Sequence, residues 1–272
     1  MGNAGKMPRI KIWKVDISAG DAQHTTDLVA EEKPLHVFLN NTHFVTILCS
    51  PSLLEELAVG HILSEGIIKK RNEIHNIRLE EDKHLCRIQF KPSINLKKKI
   101  ELAKPFSRLI TSSCGSSVYW PFPRLIDRLK LPRVGSCLTV DASLISDCVK
   151  NLNAVAETYR RTGGVHVAAL YEDNGDLVAL AEDVGRHNAV DKVIGMRASE
   201  NADFGDLFLA LSGRLTGDIV LKAARIGLPM IASHATAIKS GIEVAEHCKI
   251  TLIGFVRGRR MNIYTCPERV TY

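Results

Sequence analysis

Residues 165–200 read VHVAALYEDNGDLVALAEDVGRHNAVDKVIGMRASE, and this segment decides the fold. Val165–Tyr171 and Leu177–Glu182 are short apolar runs, and Asp173-Asn-Gly-Asp176 between them is a strong hairpin turn. Arg186–Glu200 then carries helical periodicity. Downstream the alternation continues, with strands at Asp206–Ser212, Pro229–Ser233, Ile250–Val256 and Met261–Thr265. Helices at Thr216–Gly227 and Thr236–His247 separate them, and the closing Gly227 suits a helix C-cap. Upstream, Asp141–Ala154 reads as a helix. Alternating strands and helices predict a partly parallel sheet covered on both faces, an α/β architecture.

Residues 1–110 follow a different pattern and predict a smaller α+β lobe. Arg9–Val15 reads as a strand, and Leu35–Leu39 and Phe44–Cys49 as a hairpin about Asn40-Asn-Thr-His43. A helix follows, with Ser52 as N-cap, Glu55 as its capping-box partner and Gly66 at its end. Ile74–Leu79 and Leu85–Phe90 read as a second strand pair, and Pro92-Ser93 opens a short basic helix. Between the lobes, residues 111–139 contain Pro121, Pro123 and Pro132 and no clear periodicity, which predicts a long loop or linker. The organisation expected is therefore a small lobe over 1–110, a linker over 111–139 and an α/β lobe over 140–272.

Composition narrows the function classes. The chain has 272 residues, is 45% hydrophobic and 24% charged, and can bury a core without disulfide staples. Its formal charge of +6 is spread out: 17 basic against 13 acidic residues over 1–110, and 19 against 17 over 111–272. That distribution gives no basic stripe for nucleic acid. Seven cysteines stand at 49, 86, 114, 137, 148, 248 and 266, with no CxxC pair and no zinc-site spacing. They point to a reducing compartment and, for most, to buried free thiols. Met1–Pro8 has no apolar run behind it, and Asn40–His43 interrupts the uncharged stretch from Pro34 to Leu54. The expectation is a cytoplasmic protein with no membrane span.

Chemistry concentrates in a few places. Cys114 sits among Ser112, Ser113, Gly115, Ser116 and Ser117, small neighbours that leave a sulfur accessible and let backbone N–H groups approach its cargo. It reads either as a reactive thiolate, given local positive charge, or as an ordinary loop cysteine. Glu182–Asp191 lies where a strand gives way to a helix, the usual ligand position of open α/β sheets. Arg186 and His187 there suit an anion, and simple capping by Asp183 is the alternative. Ser212–Asp218 and Ser233–Thr236, with Lys239 after it, are two further turns of this kind. Phe255-Val-Arg-Gly-Arg-Arg260 ends a strand with three arginines, whose forks match phosphate. His61 and Glu65, four apart on one helix, read as a surface pair rather than metal ligands.

Taken together, Thr111–Gly115, Thr162–His166, Glu182–Lys192, Ser212–Arg214, Gly254–Gly258 and Met261–Tyr264 resemble the FdhD family of formate dehydrogenase accessory sulfurtransferases, as does Glu56–Gly66. The resemblance runs from about residue 35 to the C-terminus. It implies a sulfur carrier that takes sulfane sulfur from a cysteine desulfurase onto Cys114. The sulfur then passes to a molybdenum (or tungsten) bis(molybdopterin guanine dinucleotide) cofactor destined for formate dehydrogenase. It also implies a cytidine-deaminase-like three-layer lobe, a homodimer, and cofactor binding through Phe255, Val256, Arg257, Gly258, Arg259 and Arg260. Arg186 and His187 would line the same cleft. Zinc is not implied, because neither H-x-E nor P-C-x-x-C occurs in the chain. The family commonly has CxxC where this chain reads Cys114-Gly-Ser-Ser117. Serine cannot carry a persulfide, so the route would use one cysteine. A non-catalytic cofactor chaperone is the rival reading.

Overall fold

The computed structural model describes residues 7–107, 131–199 and 203–272. The chain opens with an antiparallel hairpin of β1 (Arg9–Asp16) and β2 (Asp21–Leu28). The strand at Arg9 is as expected; β2, DAQHTTDL, is a strand that has no apolar alternation to announce it. A four-stranded sheet follows in the order β4-β3-β6-β5, built from β3 (Lys33–Leu39), β4 (Thr42–Cys49), β5 (Ile74–Glu80) and β6 (Leu85–Phe90). Asn40 and Asn41 both take positive φ, 45° and 67°, which gives the tight β3–β4 turn its twist.

Helix α1 (Leu54–Ser64) lies beyond this hairpin, and α2 (Leu96–Ser107) begins four residues after Pro92. The N-terminus of α1 differs from the capping-box expectation. Leu53, not Ser52, is the N-cap; it has φ 52° and no side-chain cap bond. Serine is a competent cap only where the chain places it next to the first turn, and Leu53 occupies that place.

The second region contains β7 (Val140–Asp141), α3 (Ala142–Val155), α4 (Glu157–Thr162), β8 (His166–Glu172), β9 (Leu177–Asp183), α5 (Arg186–Ser199) and β10 (Leu207–Leu211). It continues through α6 (Gly217–Ile226), β11 (Met230–Ser233), α7 (Lys239–Cys248), β12 (Thr251–Arg257), β13 (Arg260–Thr265) and β14 (Val270–Thr271). The large sheet has the order β13-β12-β11-β10-β8-β9. Its centre, β10, β11 and β12, is parallel, and its flanks are antiparallel. Asp141 caps α3 by accepting from the N–H groups of Ser143 and Leu144.

Strand alternation splits the core between the two faces of this sheet. Ala168, Leu170, Leu209, Leu211, Ile231 and Leu252 face one side, with α1, α5, α6 and α7. Val167, Ala169, Phe208, Ala210, Met230 and Ile253 face the other, with α3. The first cluster is continuous with the four-stranded sheet, so Leu35, Val37 and Ile88 belong to the same apolar mass as Leu252. Helices α1 and α5 cross at two glycines. A methyl group on Gly60 would overlap the Asp191 carbonyl, and one on Gly195 the Glu56 carbonyl. That close approach positions the polar side chains of α1 over α5.

Candidate functional site

The parallel strands set the site, because their carboxyl ends lie on one edge. Strand β10 delivers Ser212-Gly213-Arg214 there, β11 delivers His234, and β12 ends at Arg257. On the flanks, β8 starts at His166 and β9 ends at Asp183, followed by Arg186 and His187 at the start of α5. The turns that the sequence singles out separately therefore meet along one edge.

A cleft of about 340 Å³ opens there, lined by Tyr159, Gly163, Gly164, His166, Ser212 and His234 among others. Glu182 shapes its wall. Its carboxylate accepts from the N–H groups of Thr158 (3.0 Å) and Tyr159 (2.6 Å), capping the N-terminus of α4. Ser212 Oγ accepts from Val167 N–H at 2.9 Å and lies 3.2 Å from His166 Nδ1. Gly213 lets Arg186 lie close, since a Cβ there would meet the Arg186 Cβ at 3.0 Å.

The electrostatics favour an anion. Burial lowers the pKa of His166, and Arg186 and His187 lower it further. Burial and the Arg257 guanidinium lower that of His234. Both imidazoles thus titrate below the ordinary histidine range, chiefly because they are buried and secondarily because guanidinium groups stand near them. His187 Nε2 lies 3.1 Å from Asp218 Oδ2. Burial raises the Asp218 pKa, but hydrogen bonds and charge from His187, with Thr216 and Ile219 N–H, more than offset that and hold it well below the usual range.

Five of the six residues expected to hold a ligand at the β12–β13 turn are exposed. Phe255 has φ 52°, unusual for a bulky side chain, and sits in a bulge between Gly254 and Arg257. Its N–H donates to Ala235 O at 2.9 Å, and the Arg257 guanidinium lies 5.5 Å from its ring. Gly258 takes φ 59° and has open space around it, and its carbonyl accepts from Ser146 Oγ on α3. Arg257, Arg259 and Arg260 are solvent-exposed and have no ion pair among the described residues. Val256 instead turns inward and joins the core on the α3 side.

Cys114 lies outside the described residues. Four other cysteines are buried, and burial pushes the thiols of Cys49 and Cys86 up to about 12 and those of Cys148 and Cys248 up to about 11. Such thiols are inert at neutral pH. Cys137 is exposed and Cys266 half-buried, so most of the six described cysteines are buried, in line with the sequence reading. Neither belongs to a regular apolar run: Cys137 lies in the irregular stretch before β7, and Cys266 just after β13.

The structure corrects the surface pairing of His61 with Glu65. Both side chains turn inward instead. His61 Nδ1 lies 3.0 Å from Asp191 Oδ2, and Glu65 Oε1 accepts from Lys222 Nζ at 3.0 Å. Lys222 also donates to both Asp191 oxygens and to Ser64 Oγ. A second buried pair, Lys192 and Asp183 at 2.6 Å, has both side chains fully enclosed. Asp183 also accepts from Ser50 N–H, so the end of β9 is tied to the segment after β4. Asp183 is thus a buried partner as well as the acceptor for Gly185 N–H. Among the described residues no helix is long and apolar enough to cross a membrane.

Known proteins align with this arrangement over nearly its whole length. The chain is 33% identical over 262 residues to the sulfur carrier protein FdhD of Bacillus licheniformis, covering 96% of each. It is 33% identical over 259 residues to the Bacillus subtilis protein of that name, covering 95% of each. A crystal structure of a candidate formate dehydrogenase accessory protein from Desulfotalea psychrophila superposes with TM-score 0.74 at 27% identity, covering 97% of this chain and 99% of that one. The FdhD/NarQ family profile matches residues 30–271, and the chain belongs to that family.

Proposed function

We propose that the protein is a one-cysteine sulfurtransferase serving formate dehydrogenase, working as a cytoplasmic homodimer. The Cys114 thiolate attacks the terminal sulfur of a cysteine desulfurase persulfide. A new S–S bond forms at Cys114, the donor S–S bond breaks, and the donor cysteine leaves as its thiolate. The Cys114 S–S bond then breaks with its electron pair left on Cys114 as thiolate, and the sulfur atom passes to the acceptor substrate, a molybdenum (or tungsten) bis(molybdopterin guanine dinucleotide) cofactor, whose reduced metal would supply the two electrons that make it a sulfide ligand. We read the helix-covered six-stranded sheet as cytidine-deaminase-like in layout, with ligand recognition at the edge where the parallel strands end.

The observation that carries this reading is the turn after β12. Arg257, Arg259 and Arg260 have no acidic partner among the described residues, and they stand beside an exposed Phe255 and a cleft whose histidines lie near the Arg186 and Arg257 guanidinium groups. Unspent guanidinium groups suit the phosphates of a guanine dinucleotide, and the ring of Phe255 suits a base. Arg186 packs on Gly213, next to Ser212 of the cleft wall, and His187, held by Asp218, follows it in α5.

The test is a mass spectrum after incubation with a cysteine desulfurase and cysteine. One added sulfur is expected on wild type and none on Cys114→Ala. No added sulfur on wild type, with an active desulfurase present, would leave the cofactor-binding chaperone as the function.

A further inference from the structure

At the opposite edge of the large sheet the C-terminal ends of α1, α5 and α6 meet the chain entering β10. A second cleft opens there, about 500 Å³ in volume. Its inner wall is Arg225, already committed to the framework: Nη1 donates to Ser64 O at 2.6 Å and lies 3.4 Å from Glu65 Oε2. Its rim is Lys69, Lys70 and Arg71, and Phe204 contributes an apolar floor.

The rim has a fixed backbone and uncommitted charges. Glu73 Oε1 accepts from the N–H groups of Lys69 (2.7 Å) and Lys70 (3.3 Å), holding the loop. The side chains of Lys69, Lys70 and Arg71 form no ion pair among the described residues. Among the described residues, Asp203 is the one acidic residue that lines the cleft with them. Three cations around an apolar floor complement an acidic segment carrying a large apolar side chain.

The location adds a reason for this chain to use such a surface. Lys99 of α2 pairs with Glu73, so the helix that leads to residue 108 is tied to this rim. The chain beyond residue 130 returns at the same edge, where Val134 N–H donates to Cys248 O at the end of α7. Both described flanks of the stretch that contains Cys114 are therefore anchored on the edge with the basic cleft.

We propose that this cleft docks an acidic, apolar-tipped segment of the protein that donates sulfur to Cys114. The inference rests on the sulfur-carrier reading above. It assigns Lys69, Lys70 and Arg71 to partner recognition, apart from the arginine turn at the other edge. Exposed charges of this kind act on encounter rate and fade with salt, because the screening length is about 10 Å at 0.1 M.

The experiment compares wild type with K69E/K70E/R71E, and with R9E/K11E/K14E as a control of equal charge change on the exposed β1 strand. Loading of Cys114 from a cysteine desulfurase is timed by mass spectrometry at low and high salt. The cleft variant is expected to load about tenfold more slowly at low salt and to lose the salt dependence. The control should load as wild type does. Glutathione persulfide needs no docking and should load the cleft variant and wild type alike, which shows that the variant is folded and competent. Equal loading by the cleft variant and wild type, or equal slowing by the control, overturns the proposal. Affinity for immobilised desulfurase is measured separately. Equal affinity of wild type and cleft variant overturns the docking surface even if Cys114 carries no sulfur, whereas a failure of wild type to load despite intact binding falls on the role of Cys114.

Discussion

Beneath α1, Lys222 is enclosed by Asp191, Glu65 and Ser64, all within 3.0 Å. At the turn after β12, Arg257, Arg259 and Arg260 stand in solvent with no counter-charge among the described residues. Both regions are rich in charge, but only the first is a closed set. Burying an ion costs several kcal/mol unless partners surround it, so the enclosed cluster belongs to the fold's own stability. An exposed guanidinium costs the fold little and keeps its hydrogen bonds for a ligand. Completeness of pairing, rather than charge itself, separates scaffold from site.

The largest test of that contrast removes one member of the closed set. Asp191→Ala leaves Lys222 and Glu65 without their central partner and should cost about 3–5 kcal/mol in urea unfolding. Arg257→Ala should stay within about 0.5 kcal/mol of wild type in the same assay. Comparable losses in the two variants would erase the distinction.

Ligand affinity should show the reverse order. Replacing Arg257 and Arg259 by Ala should weaken GDP binding about tenfold or more in a calorimetric titration, since charged hydrogen bonds contribute about 1.5–3 kcal/mol each. Unchanged affinity would remove the turn from the binding site.

The pH responses should also differ. Burial raises the Asp191 pKa, but Lys222 and His61, with Ser64, hold it well below the usual range. Its contribution is present above the unfolded value near 4 and is lost as pH falls below that, so Asp191→Asn should flatten stability on the acid side. His166 and His234 are lowered too, but they are bases. Their neutral forms favour the folded protein above about pH 6.5, and that contribution fades as pH falls through their lowered values. A bound phosphate would favour their protonation. GDP affinity should therefore rise as pH is lowered from about 7.5 to 5.5, and the double change His166→Gln and His234→Gln should reduce that slope.

The smallest effect concerns the thiols. In the folded protein a maleimide should label Cys137 promptly and spare Cys49, Cys86, Cys148 and Cys248, as peptide mapping would show.

The strand–helix order was legible because apolar periodicity is local. Val165–Tyr171, Leu177–Glu182 and Arg186–Glu200 fall within a residue or so of the observed elements. The strand-end turns were legible for the same reason: glycines, hydroxyls and basic residues follow each apolar run. β2 was missed because a polar, solvent-exposed strand leaves no period. Helix α4 was missed because its N-terminus is capped by Glu182, some 23 residues away. The closed ion cluster was missed because its members come from positions 61–65, 191 and 222, and charge alone does not name a partner. A signal did exist: Asp191 and Lys192 interrupt the apolar run from Ala189 to Ile194 on a buried helix, where only paired charges survive.

The continuous apolar mass from Leu35 to Leu252 has a consequence for how the protein melts. A chain whose two sheets had separate cores could lose one and keep the other on heating. Here α1 packs through Gly60 onto α5, and Ser50 is bonded to Asp183, so loosening the smaller sheet exposes the floor of the larger. Calorimetry should then show one cooperative endotherm, with calorimetric and van't Hoff enthalpies in agreement. Heat damage anywhere near α1 would be felt at the ligand edge in the same step.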